Sequence, residues 1–295
     1  MKTSNTTLVK ILKVTFLFVI CFLSFNSFAQ NKNTDNALLW KIEGNGLQKP
    51  SYLFGTVHMI CEDKFQMPAK VKNAIDQTEQ SYLEINLAAP DIAAQSQQHM
   101  KSSKPLSSQI NEADYKIIDS VVNSKLKISL KQLDNIKPML IVSSVMQASF
   151  TCKIKSFEDE IIKLTKANNK TIEGLSTVEE QYSFLEKVFD VKDMATALKT
   201  LNEAEIDKIF KTMYDAYSKE DVTVINKIMS DLGATNPEGY RQLLPVRNHL
   251  WADRMPEIMK NKSTFFGIGC GHLLGKESVI SLLRAKGYKV TPVRQ

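Results

Sequence analysis

A chain of 295 residues, 43% hydrophobic and 24% charged, can bury a full core as one domain or as two closely joined lobes. Its formal charge of +6 drops to +3, 35 basic against 32 acidic side chains, once the three lysines of the N-terminal segment are set aside. That balance is too mild to imply nucleic acid as a partner, and there is no low-complexity tract beyond a short polar stub near the N-terminus.

Lys2, Lys10 and Lys13 precede the apolar run Val14 to Phe25, and Ser27-Phe28-Ala29 places small residues where a signal peptidase reads. Residues 1–29 are therefore expected to be a signal peptide and 30–36 a polar stub. The run is short of the ~20 residues a spanning helix needs. The expectation is an exported chain, periplasmic or secreted, with no stable membrane anchor after cleavage. A lipid anchor at Cys21 is opposed by bulky Ile20.

Leu38-Leu39-Trp40-Lys41-Ile42 alternates as a strand, Gly44-Asn45-Gly46 supplies turn chemistry, and Ser51 to Val57 resumes extended structure, together an opening hairpin. It runs into Gly55-Thr56-Val57-His58. Pro68 suits the first turn of a helix with Val71, Ala74 and Ile75 on one face, and Ser81 to Leu87 reads as the next strand. A short strand at Lys170 to Ile172 leads through Gly174 to a helix from about Thr177, and it is a candidate to join the sheet. Ile206, Ile209, Phe210 and Met213, then Ile225, Ile228, Met229 and Leu232, recur at helical spacing and read as core.

At the far end Thr264 to Ile268, Gly269-Cys270-Gly271-His272, a helix with Val279, Leu282 and Leu283 closed by Gly287, and Tyr288 to Val293 repeat the order of the first unit. The expected fold is α/β. Two strand, His-loop, helix, strand units build one central mixed sheet within a domain of residues 37–295, and a mainly helical insertion or cap fills about 91–260.

The two Gly-x-x-His loops hold half of the four histidines. Glycine lets backbone turn tightly near a ligand, and neutral imidazole is the commonest metal ligand. Because α/β folds gather strand ends at one rim, His58 and His272 are read as one site. In Tyr82-Leu83-Glu84-Ile85-Asn86-Leu87, alternation puts Tyr82, Glu84 and Asn86 on one face. Glu84 either meets a cation, metal or donors or faces water on an edge strand, and its place directly after the first His unit favours the site.

Arg247, Trp251 and Arg254 share a helix face after Pro245, with Asn248 beside them. A guanidinium there could bind a carboxylate or stabilise a developing oxyanion, although spacing by itself favours a surface ion-pairing helix. His99 and His249 have no motif around them. Three cysteines outlast signal cleavage. A Cys61–Cys152 bridge is possible but has no support from spacing, and Cys270 reads as a bystander because no Cys/His/Asn set surrounds it.

The segments Tyr52-Leu53-Phe54-Gly55-Thr56-Val57-His58, Tyr82-Leu83-Glu84, Gly174-Leu175-Ser176-Thr177-Val178-Glu179-Glu180-Gln181, Arg247-Asn248 and Gly267-Ile268-Gly269-Cys270-Gly271-His272-Leu273-Leu274-Gly275 come in an order that resembles the TraB/PrgY/GumN family, whose animal relatives are the Tiki proteases. The resemblance runs from about Leu38 to the C-terminus. It implies a fold akin to the erythromycin esterase and ChaN group, with a divalent ion (manganese, cobalt or zinc) held by His58, His272 and Glu84. Glu84, Arg247 and Asn248 are then the implied catalytic residues, and the implied activity is metal-assisted hydrolysis of a peptide or protein. Non-catalytic capture of an extracellular peptide and esterase chemistry on a small molecule are the alternatives. Members often carry glutamate where this chain has Ser176, and Glu173 is the nearest upstream acid; Cys270 likewise replaces a usually small or apolar residue.

Overall fold

The computed structural model describes residues 36–294, so the expected signal peptide, Cys21 and nearly all of the polar stub lie outside the described residues. The strands, in chain order, are β1 (Leu39–Glu43), β2 (Ser51–Thr56), β3 (Ile60–Cys61), β4 (Gln80–Leu83), β5 (Ile154–Lys155), β6 (Thr171–Gly174), β7 (Thr264–Gly269) and β8 (Lys289–Pro292). Six form one mixed sheet in the order β6-β4-β7-β2-β1-β8, and β3 and β5 make a separate two-stranded ribbon. β1 and β2 are the opening hairpin, paired antiparallel from Leu39↔Phe54 to Ile42↔Ser51. Its turn uses positive φ at Gly44, Asn45 and Gly46 (81°, 48° and 83°), which glycine and asparagine adopt readily.

The strands that carry the two His loops meet at the sheet's centre. β2 and β7 are parallel neighbours, in register from Tyr52↔Phe265 to Thr56↔Gly269, and both are buried along nearly their whole length, as strands covered on two faces must be. The two His loops therefore leave adjacent strand ends on one rim. β4 lies parallel on the other side of β7, and β6 joins the sheet at the edge beside it.

The helices begin with α1 (Ala69–Gln77), which buries Val71, Ala74 and Ile75, and α2 (Ile92–His99). Next come α3 (Glu112–Leu126), α4 (Pro138–Ser149), α5 (Phe157–Ala167), α6 (Val178–Val188) and α7 (Val191–Lys199). They are followed by α8 (Glu203–Ser218), α9 (Val222–Thr235), α10 (Pro237–Leu243), α11 (Pro245–Asn261) and α12 (Val279–Ala285). A core of Ile118, Val122, Ile141, Val145, Met194 and Leu198 joins α3, α4 and α7, apart from the main core under the sheet. Residues of α8, α9 and α11, among them Tyr217, Ile225 and Trp251, belong to the main core. Among the described residues no helix is long and apolar enough to cross a membrane.

Three expectations are corrected. The strand expected over Ser81 to Leu87 stops at Leu83, because the chain bends against the end of β6: Leu175 N–H donates to the Leu83 carbonyl and Ser176 N–H to that of Glu84 (2.8 Å each). Alternation fails beyond that point, leaving Leu87 exposed. In α8 the stripe is not core throughout, since Ile209 is exposed while Ala216 and Tyr217, near the helix's C-terminal end, are buried. The helix carrying Arg247 is no surface ion-pairing helix, because Arg247, Asn248, Trp251 and Met255 are all buried.

The two His loops cross at Gly55, where a Cβ would stand 2.5 Å from Leu273 Cδ1 and 3.0 Å from Cys270 Cα. Gly55→Ala is expected to destabilise the fold by about 1–3 kcal/mol through overpacking. A thermal melt should show a drop of about 3–10 °C for a chain of this size.

Candidate active site at the sheet rim

Four elements bring the site together. His58 follows β2, Glu84 follows β4, His272 lies in a 3-10 turn (Cys270–Leu273) directly after β7, and Arg247 and Asn248 sit in the first turn of α11. Glu84 Oε1 is the point of convergence: it lies 3.7 Å from His58 Nε2 and 3.9 Å from His272 Nε2, and it accepts the Gly269 N–H at 2.8 Å. Its other oxygen, Oε2, accepts a hydrogen bond from Arg247 Nη2. Arg247 also donates through Nη2 to Gln181 Oε1 (2.8 Å). All five residues expected from the sequence thus share one cluster.

The two imidazoles are held differently. His272 is buried and wedged: its ring lies 4.5 Å from the Trp251 ring, centroid to centroid, and Nδ1 donates to Asn248 Oδ1 (2.6 Å). Asn248 is itself oriented by donating Nδ2–H to the Glu277 carbonyl (2.8 Å). With the proton on Nδ1, Nε2 presents a lone pair, which accepts from Arg247 Nη1 at 3.3 Å. Burial and the Arg247 charge push the His272 pKa down to about 3, so the ring is neutral at any working pH.

His58, with 60% of its side chain exposed, is the open member. Its Nδ1 pairs with Glu158 Oε1 at 2.9 Å. Loss of hydration beside Glu84 and Glu158 opposes its charge, but the hydrogen bond and charge of Glu158, with the charge of Glu84, outweigh that and carry the pKa up to about 9.

Glu158 is the residue that sequence reasoning missed. Buried in the first turn of α5, it also accepts a hydrogen bond from Thr56 Oγ1, the last residue of β2. Two tyrosines of α8 bracket the same loop, Tyr217 donating to the Gly55 carbonyl (2.7 Å) and Tyr214 to that of Met59 (2.6 Å). Glu84 is desolvated, but the charges of Arg247 and His58, with the Gly269 N–H, hold its carboxyl well below the usual carboxylate range.

The departures from the resemblance also find their places. Ser176 is buried and its Oγ accepts the Trp251 indole N–H (2.8 Å), so it supports the ring that packs on His272. Glu173 stands exposed on the edge strand beside Asn86 and brings no carboxylate to the cluster. Burial pushes the Cys270 thiol up to about 12, which leaves it protonated and unreactive near neutrality. Cys61 and Cys152 form a disulfide. His249 pairs with Glu277 at the surface, and the His99 ring lies near Tyr182.

Among the described residues no three His, Cys, Asp or Glu side chains already form a group that could hold an ion. The donor chemistry nevertheless fits a divalent cation. Glu84 Oε1 stands 3.7 Å from His58 Nε2 and 3.9 Å from His272 Nε2, near the ~3.4 Å edge of a tetrahedral nitrogen and oxygen set; each imidazole has Nδ1 engaged, as ligating histidines do, and an ion on His272 Nε2 would replace its contact with Arg247 Nη1. Gly269 forms the floor of this cradle: a Cβ there would lie 3.2 Å from Glu84 Oε1, 3.5 Å from His58 Nε2 and 3.6 Å from His272 Cδ2.

No solved structure matches the chain. A "Metalloprotease TIKI homolog" of Amphimedon queenslandica is 20% identical over 343 residues, covering 96% of this chain and 67% of that protein. "Metalloprotease TIKI2" of Danio rerio is 22% identical over 317 residues, covering 86% of this chain and 60% of its own length. The chain thus spans about two thirds or less of the length of these relatives. Residues 38–292 match the profile of the TraB/PrgY/gumN family, which takes in the hairpin, both His loops and every residue of the cluster just described; the chain belongs to the TraB/PrgY/gumN family.

Proposed function

We propose that this protein is an exported, metal-dependent hydrolase acting on peptides or proteins, with His58, His272 and Glu84 as the ligands of a divalent ion. The observation that carries the reading is the convergence of both Nε2 atoms on Glu84 Oε1 across the Gly269 cradle. Imidazole and carboxylate donors suit zinc, manganese or cobalt alike. Such an ion supplies Lewis acidity to a scissile carbonyl and lowers the pKa of water toward neutrality. The chain's own groups do the rest. His58 lies on the open side, where substrate enters. Arg247, held against Glu84 and His272, is the cation that would stabilise the oxygen that becomes negative during attack.

Asn248 fixes the His272 ring so that Nε2, not Nδ1, serves the site. The relatives named as metalloproteases support the substrate class, and the Cys61–Cys152 disulfide supports an oxidising compartment. Digestion of a peptide library by the purified chain, with and without chelator, tests the reading. Cleavage abolished by chelator and restored by one divalent ion is expected. Cleavage that persists unchanged in chelator contradicts metal dependence, and binding without cleavage under any ion favours the peptide-capture alternative.

Ion affinity should depend on pH with a definite sign. His58, held protonated up to about 9, must give up its proton to become a ligand, so affinity should rise about tenfold per pH unit, or roughly a hundredfold from about pH 6 to about pH 8. The same raised pKa stabilises the metal-free fold below the unfolded value near 6.5, and that contribution is lost as pH rises through about 9. Calorimetric titration with Mn(II) across this range checks the slope; a flat profile contradicts the ligand role of His58.

A further inference from the structure

We propose that Glu158 is the positioning residue of His58, and that the disulfide-closed ribbon of β3 and β5 is the frame that keeps the two in contact. This rests on the reading of His58 as a ligand. His272 is fixed by Trp251 and Asn248, but His58 projects from the rim with most of its side chain exposed, so packing does little to orient it. The hydrogen bond from Nδ1 to Glu158 Oε1 (2.9 Å) supplies that orientation. A carboxylate accepting from Nδ1 places the neutral ring's proton on that nitrogen and leaves the Nε2 lone pair toward Glu84. Thr56 Oγ1 donates to the same Oε1, tying the carboxylate to the strand that delivers His58.

Glu158 and His58 are 100 residues apart in sequence, and the ribbon is what joins their segments. Ile60 pairs with Lys155 and Cys61 with Ile154, and Glu62 N–H donates to the Lys153 carbonyl (2.8 Å). The Cys61–Cys152 bridge closes the pairing across a sequence separation of 91. Cys61 lies three residues after His58 and Cys152 six before Glu158. Strands two residues long are not stable by themselves, so the covalent link carries the register.

The test has a readout independent of metal. Long-range 1H–15N spectra of the histidine rings are recorded on metal-free protein at a pH where His58 is neutral. In the wild type the His58 proton is expected on Nδ1. In Glu158→Ala, and in Glu158→Met, which keeps the volume without an acceptor, it should move to Nε2. Glu158→Gln, whose amide oxygen can still accept, should keep it on Nδ1. Cys61→Ser/Cys152→Ser should show both tautomers.

Titration with Mn(II) should find affinity reduced about 10–100-fold in Glu158→Ala or Glu158→Met, and within about threefold of wild type in Glu158→Gln. An unchanged tautomer and affinity in Glu158→Ala and Glu158→Met, with metal lost in His58→Ala, overturns this proposal alone. A His58→Ala variant that binds Mn(II) as the wild type does overturns the ligand reading and this proposal with it.

Discussion

Arg247→Ala is expected to destabilise the metal-free fold by about 3–5 kcal/mol, because it strips the partner from a buried charge. Arg247 is only 3% exposed and donates to Glu84 Oε2, Gln181 Oε1 and His272 Nε2, with its guanidinium carbon 4.5 Å from the centre of the Trp251 ring. Removing it leaves the Glu84 carboxylate desolvated with no permanent cation beside it. The melting temperature should fall by about 10 °C or more. A bound divalent ion should recover part of the loss, since it supplies a positive charge against the same carboxylate. Turnover should fall while metal is retained. Metal loss in Arg247→Ala would reassign the residue from substrate contact to site assembly. A melting temperature within about 2 °C of wild type would mean that Glu84 does not depend on the guanidinium.

Glu84→Gln should do the opposite to the ion. The amide keeps the size of the side chain but removes the negative charge on which both imidazoles converge, and one of its two ends must present N–H toward either Gly269 N–H or Arg247. Divalent-ion affinity is expected to fall by at least about two orders of magnitude and turnover by about three. Because the folded-state pKa of Glu84 is depressed, its contribution to stability is present above the unfolded value near 4.5 and is lost as pH falls toward the folded value. Glu84→Gln should therefore flatten the acid limb of a stability profile, which urea unfolding at several pH values measures. Wild-type ion affinity in Glu84→Gln would remove the carboxylate from the ligand set.

The parts of this fold that were legible in the sequence are those dictated locally. The hairpin was readable because Gly44-Asn45-Gly46 can adopt positive φ between alternating strands, and the two His loops were readable because glycines follow apolar runs. Their meeting was inferred from the habit of α/β strand ends, and the parallel pairing of β2 with β7 supplies the physical basis.

What the sequence did not reveal depended on long-range packing. Glu158 sits in Phe157-Glu158-Asp159-Glu160, a run that reads as solvated acids complementing a helix N-terminus; burial of Phe157 and the ribbon to β3 turn that one carboxylate inward. Phe157 beside it, an apolar residue opening the acidic run, is a local signal for that inward turn. The burial of Arg247 was equally hidden, since Trp251 on the same face packs on His272, a contact made across 21 residues of chain. Ser176 looked like a missing carboxylate and is instead the acceptor for that same indole.

The most direct measurement is a calorimetric Mn(II) titration of the wild type beside His58→Ala and His272→Ala, each confirmed as folded. If one cation is shared by both rings and Glu84, each single substitution should weaken binding by about a hundredfold or more, and the double variant should lose little beyond the worse single one, since the two rings act as a unit. Binding of equal strength in all the proteins would contradict a shared ion.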